Sequence, residues 1–213
     1  MLELHNVRIT LGGEVLLALS ANVAPGEVLT VMGPSGSGKS SLLAFIAGYL
    51  GPPFTASGDV VLAGAKVTDA AANARRIGMM FQDPLLFPHM SVGGNLLFAL
   101  PMGGTRRERR SKAEAYLEEV ALGGFFERRP DTLSGGQRTR VALARMLAAT
   151  PRALLLDEPF NALDQALRAQ IRALVFERAR EHGLPVVLVT HDPADAEAAG
   201  GTVIDLAAAG DRR

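Results

Sequence analysis

A mostly parallel α/β core, flanked by an antiparallel β-flap and interrupted by a helical insertion, is the fold class predicted for these 213 residues. Three observations carry it. The runs Glu27–Met32, Arg76–Phe81, Ala153–Asp157 and Pro185–Thr190 have the aliphatic and β-branched make-up of strands buried on both faces. A Gly-rich octapeptide, Gly33-Pro34-Ser35-Gly36-Ser37-Gly38-Lys39-Ser40, stands between the first of these runs and a helical one, Ser41–Ala47. Between about Pro84 and Leu147 the pattern changes to helices joined by Gly/Pro punctuation.

Taken in order, Leu2, Leu4, Val7 and Ile9 give an alternating strand that Gly12-Gly13 turns. Val15–Val23 is a second strand closed by Pro25-Gly26, and the two predict an antiparallel flap against the strand that enters the Gly-rich loop. Gly51-Pro52-Pro53 predicts the stop of the first helix and a loop. Asp59–Gly64 reads as a strand and turn, and Arg76–Phe81 as a buried strand running into Gln82-Asp83-Pro84. In the insertion, Ser91–Leu100 is one helix, and Thr105 with Glu108 forms a capping box for the next, to about Ala121. Its Arg106-Arg107-Glu108-Arg109-Arg110 start reads as a solvated face rather than a phosphate or lipid patch. Gly135-Gly136 opens a third helix, Gln137–Ala149, stopped by Pro151. A helix from Gln165 to His182 carries Leu167, Ile171, Leu174 and Val175 on one stripe. Asp192 then reads as an N-cap with Pro193 at the first helical position, Thr202–Leu206 as a last strand and Ala207–Arg213 as a tail. The expected organisation is one domain over 1–213: a core with its β-subdomain at about 1–83 and 148–213, and a helical subdomain at about 84–147.

Composition narrows the function classes. The 22 basic and 22 acidic residues balance, so no global field favours nucleic acid or anionic lipid, and no nucleic-acid partner is expected. Without cysteine there is no disulfide framework, thiolate chemistry or Cys-ligated metal. The Met1-Leu2-Glu3-Leu4-His5 start predicts no signal peptide, and no apolar run reaches the roughly 18 residues that span a bilayer. An apolar fraction of 48% is high, which predicts a buried sheet and a surface that docks on something.

The octapeptide fits G-x-x-x-x-G-K-[ST] in its required strand–loop–helix context. Glycines let the backbone wrap phosphate oxygens, and N–H groups at a helix start favour an anion, so Gly33–Ser41 is read as binding a nucleoside triphosphate. Lys39 reaches its β- and γ-phosphates and the Ser40 hydroxyl holds Mg²⁺. Asp157 and Glu158 end an apolar strand at the edge where α/β sheets bind ligands. One acid suffices for metal, so Asp157 is assigned to Mg²⁺ opposite Ser40, and Glu158 to the attacking water. Gln82, also at a strand end, is placed to reach both metal and water. His191 follows the strand ending at Thr190 and is placed at the γ-phosphate, whereas His5, His89 and His182 have no such position. Leu133-Ser134-Gly135-Gly136-Gln137 is a second Ser/Gly loop opening a helix, hence a second anion site. Two such loops and one hydrolytic centre suggest a nucleotide shared between two subunits.

Together these segments resemble the ATP-binding cassette of ABC transporters along nearly all of residues 1–206. Gly33–Ser40 matches the Walker A loop, Gln82 the Q-loop, and Leu133–Gln137 the signature. Leu154–Glu158 matches Walker B with its catalytic glutamate, Asn161-Ala162-Leu163-Asp164 the D-loop, and His191 the switch histidine. The resemblance implies a RecA-like P-loop core with an antiparallel β-subdomain and a helical subdomain. It also implies a head-to-tail dimer in which each ATP lies between one subunit's Walker A loop and the other's signature. Gln82–Val92 and Leu133–Leu147 are similar to bacterial importer cassettes for sulfate, iron, polyamine or thiamine, and a further likeness, to an enterobacterial importer-type cassette, includes a long Leu50–Ser57 loop.

Such likeness implies MgATP hydrolysis for a separate membrane permease, a substrate-binding protein as further partner, and a place on the cytoplasmic face of the membrane. Rival readings are an exporter or lipid-extrusion cassette, and a soluble ATP-gated module. The Leu85–Met90 stretch, too apolar for an ordinary loop, is expected to form the groove that accepts a short permease helix. Two departures stand out. Leu11 occupies the place where the family stacks adenine on an aromatic ring, so weak base discrimination is expected; Asn161 stands where Ser is usual. No regulatory domain is expected after the last strand.

Overall fold

The computed structural model describes residues 1–161 and 163–206. Ala162 of the D-loop stretch and the expected tail at 207–213 lie outside the described residues. In chain order the elements are β1 (Leu2–Leu11), β2 (Glu14–Val23), β3 (Val28–Met32), α1 (Lys39–Ala47), β4 (Phe54–Leu62), β5 (Ala65–Lys66), α2 (Ala72–Arg75) and β6 (Ile77–Met80). There follow α3 (Val92–Ala99), α4 (Arg106–Glu119), α5 (Gly135–Ala148), β7 (Ala153–Asp157), α6 (Gln165–Glu181), β8 (Val186–Val189), α7 (Pro193–Ala199) and β9 (Thr202–Asp205). They divide into two compact units: Met1–Met79, Arg152–Glu158 and Phe176–Arg213 in the first, and Met80–Pro151 with Pro159–Val175 in the second.

The first unit holds two sheets. One has the order β6-β7-β8-β3-β9, with parallel pairing of β7 to β8 and of β3 to both β8 and β9. Its central strands are buried along their length, as uninterrupted aliphatic runs require. The other sheet is antiparallel, in the order β2-β1-β4-β5. The expected flap is therefore larger than a hairpin. β1 offers its second edge to β4, from Leu2 opposite Leu62 to Leu11 opposite Phe54, and both neighbours of β3 are parallel strands. The flap meets β3 through side chains instead: Leu2, Leu4, Val7 and Ile9 share one core cluster with Leu29, Val31, Leu43 and Val187.

Two sequence expectations change here. The supposed Leu50–Ser57 loop is strand from Phe54 onward, because β1 supplies pairing partners that no local pattern reveals. Helix α1 ends at Gly48 rather than at Gly51-Pro52-Pro53, with the Gly48 N–H donating to the Ala44 and Phe45 carbonyls at 3.0 and 3.1 Å. The short β5 and α2 carry no periodic signal long enough to read.

In the second unit α3, α4 and α5 pack on one another. Ser91 caps α3 by accepting from the Gly94 N–H at 3.0 Å, and the expected Thr105–Glu108 capping box closes both ways. The basic start of α4 is not uniformly solvated, however. Arg109 turns inward and donates to the Leu97 carbonyl at 2.7 Å and to that of Pro101, satisfying one backbone acceptor in the last turn of α3 and one just after it. Arg106, Arg107 and Arg110 stay exposed, as expected. Among the described residues no helix is long and apolar enough to cross a membrane.

Candidate nucleotide site

Strand β3 delivers the chain into Gly33–Gly38, and α1 begins at Lys39, two residues earlier than the apolar pattern suggests. The turn is held from within: the Ser37 hydroxyl donates to the Pro34 carbonyl at 2.9 Å. Gly38, at φ 85°, is the N-cap of α1 and contributes no side-chain cap, so the first N–H groups of the helix face the loop. A Cβ there would be strained by its positive φ and would come within 3.2 Å of the Leu16 Cβ. The buried Lys39 folds across the loop, its Nζ donating to the Gly33 and Pro34 carbonyls at 2.8 and 2.7 Å. An ammonium has three protons, so one remains for an anion seated in the loop.

The carboxylates arrive from β7. Ser40 Oγ donates to Asp157 Oδ1 at 3.1 Å, bringing together the two oxygens assigned to metal. Among the described residues there is no cluster of three or more His, Cys, Asp or Glu able to hold a metal. Two hard oxygen donors fit Mg²⁺, which keeps waters and phosphate oxygens as its other ligands. Burial pushes the Asp157 carboxyl above its ordinary range. The Ser40 hydrogen bond opposes this, the neighbouring Glu158 charge adds to it, and Lys39 pulls the other way.

An acid whose folded pKa is raised withholds stability while ionised and returns it as pH falls through that pKa. Asp157→Asn should therefore raise the melting temperature of EDTA-treated protein at pH 7, by a margin that shrinks toward acid, while MgATP hydrolysis is lost. Melts at two pH values with an ATPase assay check this. A lower melting temperature at pH 7 would contradict it.

Glu158 continues β7 by donating its N–H to the Val189 carbonyl at 2.9 Å, then adopts φ 46°. A left-handed glutamate is strained, and such strain clusters where side-chain direction matters. His191 Nδ1 lies 3.5 Å from Glu158 Oε1, so the residues assigned to water and γ-phosphate are neighbours. The His191 turn is anchored from below. Thr190 and Asp195 are fully buried, Thr190 Oγ1 donates to Asp195 Oδ2 at 2.8 Å, and the Asp192 N–H donates to Thr190 Oγ1 at 3.0 Å. Asp192 also caps α7 through the Ala194 N–H at 2.9 Å, with Pro193 in the first turn.

A cavity of about 330 Å³ lies between the Gly-rich loop and Glu158. Ser35, Gly36, Gly38, Lys39, Ser40, Ser41 and Glu158 line it together with the apolar Leu11, Leu16 and Phe54. The structure thus gathers Leu11, the loop and Glu158 around one space. Sequence reasoning misses Phe54, whose one local signal is an aromatic at the head of a run that continues to Leu62. The Thr190–Asp195 pair is missed as well.

The remaining assigned residues lie in the second unit. Gln82 is exposed, two residues beyond β6. Gly135 and Gly136 form the first turn of α5 rather than preceding it, and Ser134 caps it. Ser134 Oγ accepts from the Gln137 N–H at 3.3 Å while Gln137 Oε1 accepts from the Ser134 N–H at 3.0 Å. A Cβ at Gly136 would sit 2.2 Å from Leu167 Cδ2, so only glycine allows α6 this close. Asp164 Oδ1 accepts from the Leu167 N–H at 3.0 Å at the start of α6.

Comparison with known proteins agrees with this geometry. The family profile described as ABC transporter matches residues 16–161. The uncharacterized ABC transporter ATP-binding protein YnjD of Escherichia coli (strain K12) is 45% identical over 208 residues, covering 97% of this chain and 95% of YnjD. The Fe(3+) ions import ATP-binding protein FbpC of Brucella abortus (strain 2308) is 43% identical over 187 residues, covering 87% of this chain and 52% of FbpC. The chain thus spans about half the length of that relative. Among solved structures, the dimeric bacterial ABC transporter cassette MJ0796 superposes with a TM-score of 0.79 at 35% identity, covering 97% of this chain and 94% of that one. The same cassette is also known as a dimer in a post-hydrolysis state bound to ADP and Pi.

Proposed function

The chain belongs to the ABC transporter family and is an ATPase of that kind, and from this premise we propose that it is the ATP-hydrolysing subunit of a bacterial importer. It works as a head-to-tail dimer, drives a separate membrane permease from the cytoplasmic face, and receives cargo through a substrate-binding protein. The observation that carries the chemistry is the single cavity in which the Gly33–Ser41 loop, Lys39 and Glu158 meet. Import rests on the name of FbpC among the relatives.

In this reading the loop N–H groups and Lys39 hold the β- and γ-phosphates. Ser40 and Asp157 would hold Mg²⁺, with Gln82 proposed as a further ligand, and the ion would supply charge neutralisation for the phosphates. Glu158 accepts a hydrogen bond from the attacking water and aims it at the γ-phosphorus, in line with the bond to the leaving ADP oxygen. His191, steadied by Thr190 and Asp195, holds the γ-phosphate beside Glu158. Ser134–Gln137 of a second copy closes over the same phosphate. Catalysis is then positioning and charge stabilisation, with no covalent intermediate on the protein.

The permease contact is assigned to the second unit, with a change from the sequence expectation. Of the Leu85–Met90 stretch, Leu85 is exposed, but Phe87 is half-buried beneath the Arg145 guanidinium, with an edge-to-face contact to Phe98 at 5.0 Å. The outward ring is Phe98, 66% exposed. Phe98→Asp should therefore leave the thermal melt and the basal ATPase of the isolated subunit near the parental values while co-purification with the permease is lost. Retained assembly would place the contact elsewhere. The importer reading itself is tested by reconstituting the chain in proteoliposomes with a permease and a binding protein that co-purify with it, where inward, ATP-dependent cargo uptake is expected and outward transport would contradict it.

A further inference from the structure

We propose that Phe54 is the platform on which this protein stacks the nucleotide base, an aromatic face supplied by β4 in place of the missing ring at Leu11. The inference deepens the ATPase reading above and rests on it. The cavity is lined by the loop and Glu158 together with three apolar side chains, Leu11, Leu16 and Phe54. With the phosphates seated on the loop N–H groups, the apolar side chains of the same lining are what is left to receive the base. Leu11 and Leu16 offer dispersion alone. Among the described residues Phe54 is the only aromatic side chain lining the cavity, and a π-face is what gives a base a stacking partner.

The strand pairing holds this ring in place. Phe54 is directly opposite Leu11 in the β1–β4 ladder, one residue before the side-chain hydrogen bond between Thr10 and Thr55. The Phe54 N–H donates to the Gly51 carbonyl at 3.2 Å, fixing the start of β4. The ring is half-buried against the core cluster, so it is neither a free surface side chain nor wholly consumed in packing. Two neighbouring strands have thus divided the task, with the ring borne by β4 and the aliphatic wall by β1.

The chain has no tryptophan, so Phe54→Trp introduces a lone indole at the proposed contact. ATP should change its fluorescence, whereas inorganic triphosphate, which has phosphates and no base, should leave it nearly unchanged. Phe54→Leu keeps apolar bulk and removes the π-face. It should weaken ATP binding on the order of tenfold while the affinity for inorganic triphosphate stays at the parental value, and Phe54→Tyr should restore ATP affinity. Indole fluorescence indifferent to ATP, or an equal loss of ATP and triphosphate binding in a folded Phe54→Leu protein, would overturn the proposal. A parental protein that binds triphosphate but gains nothing from the base would overturn it while leaving the phosphate site intact. Failure of the parent to bind either compound would instead refute the ATPase reading.

Discussion

Glu158→Gln binds MgATP as tightly as the parent and hydrolyses it roughly 10²–10³-fold more slowly, or slower still. The substitution is nearly isosteric, so the φ of 46° and the N–H bond to the Val189 carbonyl can persist. What goes is the negative oxygen proposed to accept a hydrogen bond from the attacking water. The phosphate-binding parts, from Lys39 across the Gly33 and Pro34 carbonyls to the open N-terminus of α1, are untouched. Single-turnover rates beside nucleotide titrations check this. Unchanged turnover, or loss of nucleotide binding, would remove Glu158 from the role assigned to it.

The second large effect belongs to Ser134. Ser134→Arg retains the subunit's own ATP affinity but loses hydrolysis on the order of 10²-fold, because in the proposed dimer its bulk and charge stand against the other copy's γ-phosphate. Ser134 also caps α5 through the Gln137 N–H, and loss of an N-cap alone costs about 0.5–2 kcal/mol. A Ser134→Ala control separates the two effects: it shares the lost cap and lacks the obstruction. If Ser134→Arg hydrolyses ATP at the parental rate, the shared-site arrangement is wrong.

How legible the molecule was depends on how local each feature is. The Gly33–Ser40 loop announces itself because strand, glycines, Lys39 and helix follow one another within a short stretch. Asp157 and Glu158 were readable because an apolar strand that ends in two acids is a local contradiction. Capping boxes at Thr105 and Ser134 were readable for the same reason. What failed was non-local. Nothing between Phe54 and Ser57 shows that β1 has an unpaired edge, so those residues read as loop and the Phe54 ring in the cavity lining carries no site signal. Arg109 looked like its exposed neighbours because its acceptors, the carbonyls of Leu97 and Pro101, exist only once α3 ends beside α4. The left-handed Glu158 could not be inferred at all, since an acid there is chosen for its chemistry against its backbone preference.

The central claim is that each ATP is enclosed by the Gly33–Ser40 loop of one copy and the Ser134 loop of another. Because the chain has no cysteine, two single-cysteine proteins, Ser35→Cys and Ser134→Cys, can be mixed in a Glu158→Gln background that keeps ATP intact. Both positions are exposed on their own chains. With MgATP, a short bis-maleimide should join the Ser35→Cys chain to the Ser134→Cys chain, and neither protein to itself, with the product falling away in ADP. No mixed product in MgATP, or equal cross-linking of either protein alone, would contradict the account.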